Sequence, residues 1–263
     1  MLIKKLLIIL CLCSVSQAAN VFSADPNCVA LWRFEDGALG TDSIGTNTLT
    51  ATSDPAADTV NKKEGGASVD YDGDDRHYRN DAVLSAKFPC KNGTANKTFS
   101  ICMWFKLDSL ANWRAICSKY VSGNGNSFVL NTDASGNVQI WLYNGTSAEV
   151  YTFGTTITTS IWYHATFIYE DTGKTWRIRI WDDNAGALLG VDATGTGTKN
   201  IYLVNTPFRI GSLATTSYFD GLIDELVVFN DILSVEEIDL IRTGTFGYVA
   251  PAAGGQLIMI QEF

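Results

Sequence analysis

Charge is scarce in this chain. Only 18% of its 263 residues are Asp, Glu, Lys or Arg, and the basic ones are the minority, 19 against 28 acidic. A formal net charge of -9 leaves no basic surface for neutralising phosphates, which argues against a nucleic-acid partner, and it fits badly with docking on anionic lipid. Proline is rare, at 5, and histidine rarer, at 2. Neither His77 nor His164 has a Ser, Cys or second His at nucleophile or zinc spacing, and no Cys-x-x-Cys pair occurs. No internal repeat is visible, and beyond the first twenty residues no apolar stretch is long enough to cross a bilayer. What is abundant is apolar and aromatic: 46% hydrophobic and 11% aromatic residues, with 23 Gly, which excludes a disordered chain. The length suits one large β domain or two small ones.

Residues 1–20, MLIKKLLIILCLCSVSQAAN, have a basic start at Lys4 and Lys5, a short apolar core and small residues at Ser16 and Ala18. This is the layout of a secretory signal peptide cut after Ala18 or Ala19, with a core too short to span a membrane. Ile9-Leu10 before Cys11 do not supply a lipoprotein site. Losing Lys4 and Lys5 takes the net charge from -9 to -11. The expected product is secreted, extracellular or on a cell surface. Cys28, Cys90, Cys102 and Cys117 remain after the cut, an even number in an oxidising compartment. Three pairings are possible. Cys102 with Cys117, on consecutive strand-like segments, is the favoured one and leaves Cys28 with Cys90. Closing that first loop would stabilise by about 3 kcal/mol on a chain-entropy argument. The alternative is that some are free, buried and apolar.

Strand signals recur along the rest. Residues 28–34, 67–71, 98–107, 114–120, 126–132, 137–143, 148–153, 161–170 and 175–182 are apolar or alternating, and Gly-, Asn- or Asp-rich turns separate many of them. In 175–182, Trp176, Ile178 and Ile180 share one face and Arg177 and Arg179 the other. Many such strands with tight turns predict an antiparallel two-layer sandwich. One short helix near the C-terminus is predicted. Ser234 followed by Glu237 is a capping box, Val235, Ile238 and Ile241 form one apolar stripe, and Gly244 suits the stop.

Four stretches in order carry a family resemblance: VALWRFEDG (29–37) with the turn DSIG (42–45), SVDYDGDD (68–75), FSICMWFK (99–106), and FDGLIDELVVFN (219–230) leading into Leu233-Ser234. Trp162-Tyr163-His164 also fits. Together the chain resembles the laminin-G-like, concanavalin A-like jelly-roll domains over about residues 28–245. The resemblance implies an all-β antiparallel jelly-roll sandwich with one short C-terminal helix. With the leader and the apolar tail read from their own residues, the chain divides into a leader (1–19), the domain (20–247), and a linker plus apolar strand (248–263). The resemblance does not imply one activity, because this fold hosts lectins, adhesion modules and glycoside hydrolases.

Asp224 and Glu225 stand inside the last apolar run, and either carboxylate buried bare would be costly. Read as a strand, they take opposite faces, Asp224 with Leu222, Leu226 and Val228, and Glu225 with Ile223, Val227 and Phe229. A partner is expected. The resemblance implies a structural Ca²⁺ held by Asp224 with main-chain oxygens near Glu35 and Gly73. A salt bridge to Arg33 or a Lys, or a hydrogen-bonded turn, would serve as well. The acidic run 70–75 is not an EF-hand loop, since Asp81 stands where the closing Glu belongs. It reads as a solvated turn with some interest as ligand surface through Asp74 and Tyr78. His164, inside a strand, reads as structural, and His77, after the acidic turn, as a surface group.

Glycoside hydrolysis needs two carboxylates positioned on one bond. The glucanases of this fold place them as Glu-x-Asp-x-Glu or with one extra residue, and no such run occurs. The chain therefore reads as non-catalytic. Sugar binding by aromatic faces and amides is the chemistry left, with Trp113, Tyr120, Tyr143 and Tyr151 near loop ends beside Asn112, Asn124 and Asn144. Asn92, Asn96 and Asn144 also match glycosylation acceptors. The expected function is a secreted carbohydrate-binding or adhesion module stabilised by calcium, its partner a glycan. Two other readings remain: a structural subunit of a cell-surface or phage assembly with a protein partner, and a polysaccharide hydrolase or lyase. The apolar residues 256–263 offer a strand for self-association.

Overall fold

The computed structural model describes residues 20–122 and 126–247. The expected leader, Asn124, and the expected linker and apolar tail lie outside the described residues. The early strands are β1 (Cys28–Trp32), β2 (Thr50–Thr52), β3 (Ala56–Asp58), β4 (Ser68–Asp72) and β5 (Arg76–Arg79). The middle of the chain gives β6 (Phe99–Leu107), β7 (Arg114–Lys119), β8 (Phe128–Thr132), β9 (Val138–Tyr143), β10 (Ala148–Thr152), β11 (Trp162–Glu170) and β12 (Thr175–Asp182). Short β13 (Ala187–Leu188), β14 (Ala193–Thr196) and β15 (Phe208–Ile210) precede the long β16 (Asp220–Phe229) and the helix α1 (Val235–Arg242).

These strands form the expected antiparallel jelly-roll sandwich. One sheet runs β13-β12-β11-β6-β16-β4-β3, with β1 also on β16 and β14 on β12, and the other runs β10-β9-β8-β7-β15-β5-β2. Period-two alternation builds the space between them. Phe99, Ile101, Met103, Phe105 and Leu107 of β6 face Phe128 and Leu130 of β8 and Ile140 and Leu142 of β9 within one buried core. A second cluster lies outside the nine-stranded sheet, where Ile238 and Ile241 of α1 cover Leu31, Cys102, Ile168, Val227 and Phe229. The capping box is formed as expected: Ser234 Oγ accepts from the Glu237 N–H at 3.2 Å, and Glu237 Oε2 accepts from the Ser234 N–H at 2.8 Å. Gly221 sits where β16 presses on β6. Its φ is +137°, and a Cβ there would meet the Lys106 carbonyl at 2.1 Å, so only glycine fits. Among the described residues no helix is long and apolar enough to cross a membrane.

Three expectations need correction. The cysteines are free thiols. Cys90 and Cys117 lie in the core between the sheets, whereas Cys102 belongs to the cluster under α1 and Cys28 packs against that cluster. Each expected pair, Cys102 with Cys117 and Cys28 with Cys90, is thus divided between two clusters and is not bonded in this structure. His77 is not a surface group. It is 1% exposed, its Nδ1 is 2.9 Å from Tyr71 Oη, and burial lowers its pKa to about 4. Asp224 and Glu225 do not follow simple alternation. The register of β16 on β6 shifts between Asp224 and Val227, Glu225 takes φ +49°, and Ile223 and Leu226 both face the core. A β-bulge has absorbed the pair and reversed the phase of the strand beyond it.

Candidate functional site

The outer face of the seven-stranded sheet gathers aromatic side chains. In β9 the buried residues are Val138, Ile140 and Leu142, so Gln139, Trp141 and Tyr143 alternate to the outside, half-buried. Trp141 stands opposite Val129 of β8 and Val150 of β10, and Gln139 stands opposite Asn131. Tyr120, Trp141 and Tyr143 rest on a small apolar floor of Ala115, Val129 and Leu213. Trp113, 47% exposed, closes the patch by meeting Trp141 edge to face with centroids 5.6 Å apart. Tyr120 meets Tyr143 in the same way at 5.7 Å. Trp113 is presented with φ +59°, a left-handed conformation that costs a bulky residue energy and is retained where the surroundings or a function require it.

Polar groups on this face are aimed as well as present. Trp141 Nε1 donates to Gln139 Oε1 at 2.8 Å, which fixes the indole. Gln139 Nε2 reaches Asp133 Oδ2 at 3.4 Å. Burial works against the Asp133 charge, yet hydrogen bonds from Asn137 and Ser135 hold its pKa below the usual carboxylate value. Asn131, fully buried in the same outward row between Ala115 and Gln139, has both Oδ1 and Nδ2 without a partner. An amide left unpaired in this way is costly and calls for a partner from outside the chain.

The sequence-derived candidates divide. Trp113 and Tyr143 belong to the patch, with Tyr120. Tyr78 lies on the same sheet face, opposite Arg209 of β15. Asn144 spends its Oδ1 on its own turn, accepting from the Thr146 and Ser147 N–H groups at 3.1 and 3.0 Å. Asp74 is exposed in the β4–β5 turn, where its carboxylate and those of Asp72 and Asp75 lie within 4.8 Å of one another. Tyr151 turns away from the patch, stacking on Trp176 at 4.5 Å beside the core. Sequence reasoning missed Trp141 and Asn131. The alternation of VQIWLY signals Trp141, while nothing local signals Asn131.

The expected calcium ligands do not converge. Asp224 is fully buried, and its Oδ2 accepts from the Lys63 and Glu64 N–H groups at 2.7 and 3.1 Å. Its Oδ1 is buried without a hydrogen-bond partner, while the Glu225 amide also favours the charged form of the carboxyl. Burial pushes this carboxyl up to about 7. Glu35 grips the same loop from outside, accepting from the Gly66 N–H at 2.7 Å. Gly73 is elsewhere, in the β4–β5 turn beside Asp220 and Arg114, where β16 begins. Asp224 Oδ1 is therefore left without a partner, and Gly73 lies outside its surroundings. Arg33 holds Glu225 with two bonds of 2.9 and 3.0 Å, the alternative partner that the sequence offered. Both carboxylates are engaged and buried, with Glu225 4% exposed, so neither is presented to a substrate.

An antiparallel two-sheet sandwich with this strand order is a jelly-roll domain. Residues 80–239 match the concanavalin A-like lectin/glucanases superfamily, and the chain belongs to that family. No curated protein matches it. Among solved structures it is similar to domain 4 of AbnA, a GH43 extracellular arabinanase from Geobacillus stearothermophilus, in complex with arabinotriose. The TM-score there is 0.58 at 18% identity, over 83% of this chain and 98% of that one. It is also similar to the receptor binding domain of botulinum neurotoxin type G, with TM-score 0.57 and 14% identity over 82% of this chain and 51% of that one. The binding domain of Paraclostridial Mosquitocidal Protein 1 gives 0.58 and 12% over 84% and 52%. The chain thus spans about half the length of the two toxin domains. At these identities the likenesses show the fold alone.

Proposed function

We propose that the protein is an exported, non-catalytic carbohydrate-binding module that receives an oligosaccharide on the outer face of its seven-stranded sheet. The observation that carries this reading is the joined patch of Trp113, Trp141, Tyr120 and Tyr143 with the unpartnered Asn131 amide among them. Aromatic faces supply apolar area with a polar edge, and a few fixed amides then set orientation. The arabinanase domain of the same fold, in complex with arabinotriose, supports the reading. Export rests on the leader. A structural cation at Asp224 Oδ1 belongs to the proposal as a stabilising element and takes no part in chemistry. The test is a glycan array with the full chain and Trp141→Ala, in calcium and in chelator. Retained glycans that the variant loses are expected. An array without binding, or binding that the variant keeps, overturns the reading.

A further inference from the structure

We infer that the glycan is anionic, carrying carboxylate or sulfate groups, and that Arg76 and Arg209 receive them; this rests on the carbohydrate-binding reading of the same sheet face. The placement follows from alternation. His77 of β5 is buried in contact with Tyr71, so its neighbours Arg76 and Tyr78 turn outward. Arg209 stands between the core residues Phe208 and Ile210 and opposite Tyr78. All three therefore lie on the face that bears the aromatic patch.

In a chain with more acidic than basic residues, a surface arginine ordinarily finds a carboxylate. Arg33, Arg114, Arg177, Arg179 and Arg242 all do. Three arginines lack an ion pair among the described residues: Arg79, which donates to the Thr46 and Val83 carbonyls and stands opposite the core residue Phe208, and the outward-facing Arg76 and Arg209. Arg76 Nη1 donates to the Ala214 carbonyl at 3.1 Å and to Tyr218 Oη at 2.9 Å. Arg209 Nη1 donates to the Tyr120 carbonyl at 2.5 Å and reaches the Pro207 carbonyl at 3.5 Å. These neutral oxygens fix the two guanidiniums in place without pairing their charge to a carboxylate. The two groups also act on each other: burial first, and then the like charge of Arg76, pulls the Arg209 pKa down. A bound anion would relieve that repulsion, and the planar fork of arginine suits a carboxylate or sulfate by paired hydrogen bonds.

The basic pair is continuous with the aromatic patch. Arg209 binds the main chain of Tyr120, whose ring meets Tyr143. In the sheet order β9-β8-β7-β15-β5, Trp141 and Arg76 stand on the outermost two of these strands. At the usual strand spacing that separates them by roughly 19 Å, so the ligand is an extended oligosaccharide with its anionic group toward β5.

Titration calorimetry on the full chain tests this with matched pairs: polygalacturonate against its carboxyl-reduced polymer, and dextran sulfate against dextran. The expected result is that at least one anionic polymer binds about tenfold or more tightly than its neutral partner and weakens as salt rises. Which pair shows the difference tells carboxylate from sulfate. Arg209→Gln and Arg76→Gln are each expected to lower that affinity by about tenfold while leaving the melting temperature near that of the parent, with partial recovery in Arg209→Lys. Equal binding of both members of each pair, insensitive to Arg209→Gln but lost in Trp141→Ala, overturns the anionic ligand and leaves the sugar-binding face intact. Binding insensitive to Trp141→Ala overturns both.

Discussion

Trp113 and Trp141 come from a loop and from a strand, yet their rings meet at 5.6 Å with planes 80° apart. The contact makes Trp113 a wall of the patch. Trp113→Ala is expected to weaken glycan binding by about tenfold, the order of one aromatic contact. Because the ring is 47% exposed, the melting temperature should hardly move. The backbone adds a second test. At φ +59°, Trp113→Gly should be more stable than Trp113→Ala by about 1 kcal/mol, since glycine tolerates the left-handed region. Calorimetric binding and urea unfolding of both variants check these outcomes. Equal stability of the two would show that the left-handed conformation is not held in solution.

The legible part of this molecule is the part written locally. The capping box at Ser234 and Glu237, the alternation of β12 and the long apolar runs of β6, β11 and β16 are short-range patterns, and each appears where the sequence places it. Alternation failed at Asp224-Glu225 because one bulge reverses the phase, and only the packing of Ile223 and Leu226 reveals it. His77 looked exposed because an acidic turn precedes it, although its strand turns it inward onto Tyr71. Half of the candidate site was readable, Trp113 and Tyr143 from their loop-end positions. The rest depends on the tertiary fold. Arg76 and Arg209 are far apart in sequence on β5 and on the three-residue β15, and the single β5–β15 pairing makes them neighbours on one face.

Asp224 gives the fold a pH dependence with a definite sign. Its folded pKa is raised by burial from the usual 3.8 to about 7, so the folded carboxyl keeps a proton that the unfolded one has lost. That contribution is complete below the unfolded value and disappears as pH rises through about 7. Burial lowers His77 to about 4 and His164 to about 3, so their contribution is complete above the free value of 6.5 and is lost as pH falls. Between pH 6.5 and 8, in chelator, Asp224 should therefore lower stability by about 1 kcal/mol, and Glu225, raised by burial to about 8, should lower it further in the same direction. Asp224→Asn should remove the Asp224 part of that slope and leave the Glu225 part. A cation on Oδ1 takes the place of the proton, so saturating calcium should reduce the slope in the parent alone. Thermal melts of both proteins with calcium and with chelator decide this. An unchanged slope in Asp224→Asn would clear Asp224 of the role.

The cysteines should behave as thiols rather than cross-links, three of them buried and Cys28 half-buried. Burial pushes Cys90 and Cys102 up to about 12 and raises Cys28 and Cys117 as well, so native thiolate is scarce. Thiol titration of the mature, unreduced protein should find four reactive groups in denaturant and almost none in buffer. A reductant should leave the melting temperature unchanged. A denatured count of zero or two would mean that a disulfide forms after all, and with it a different packing around the Cys102 strand.

Lys119 and Asp81 form an ion pair inside the molecule, with the lysine fully buried and the aspartate 3% exposed. The ammonium also donates to the Thr206 carbonyl at 2.8 Å, and the carboxylate accepts from the Asn92 N–H at 3.2 Å. The pair ties β7 to the turn at Asp81–Val83, at the residue that precedes Tyr120 of the aromatic patch. Burial pulls the lysine pKa down and Asp81 opposes it, so removing the aspartate removes what keeps the ammonium charged. Asp81→Ala should cost about 3–5 kcal/mol, because it strands a buried charge. Replacing both partners, Lys119→Met with Asp81→Leu, should recover most of that loss, since neither desolvation cost then remains. Urea unfolding of the single and double variants measures the coupling. Additive losses would mean that the two groups act independently, with the hydrogen bonds to Thr206 and Asn92, rather than the ion pair, holding this corner of the sandwich.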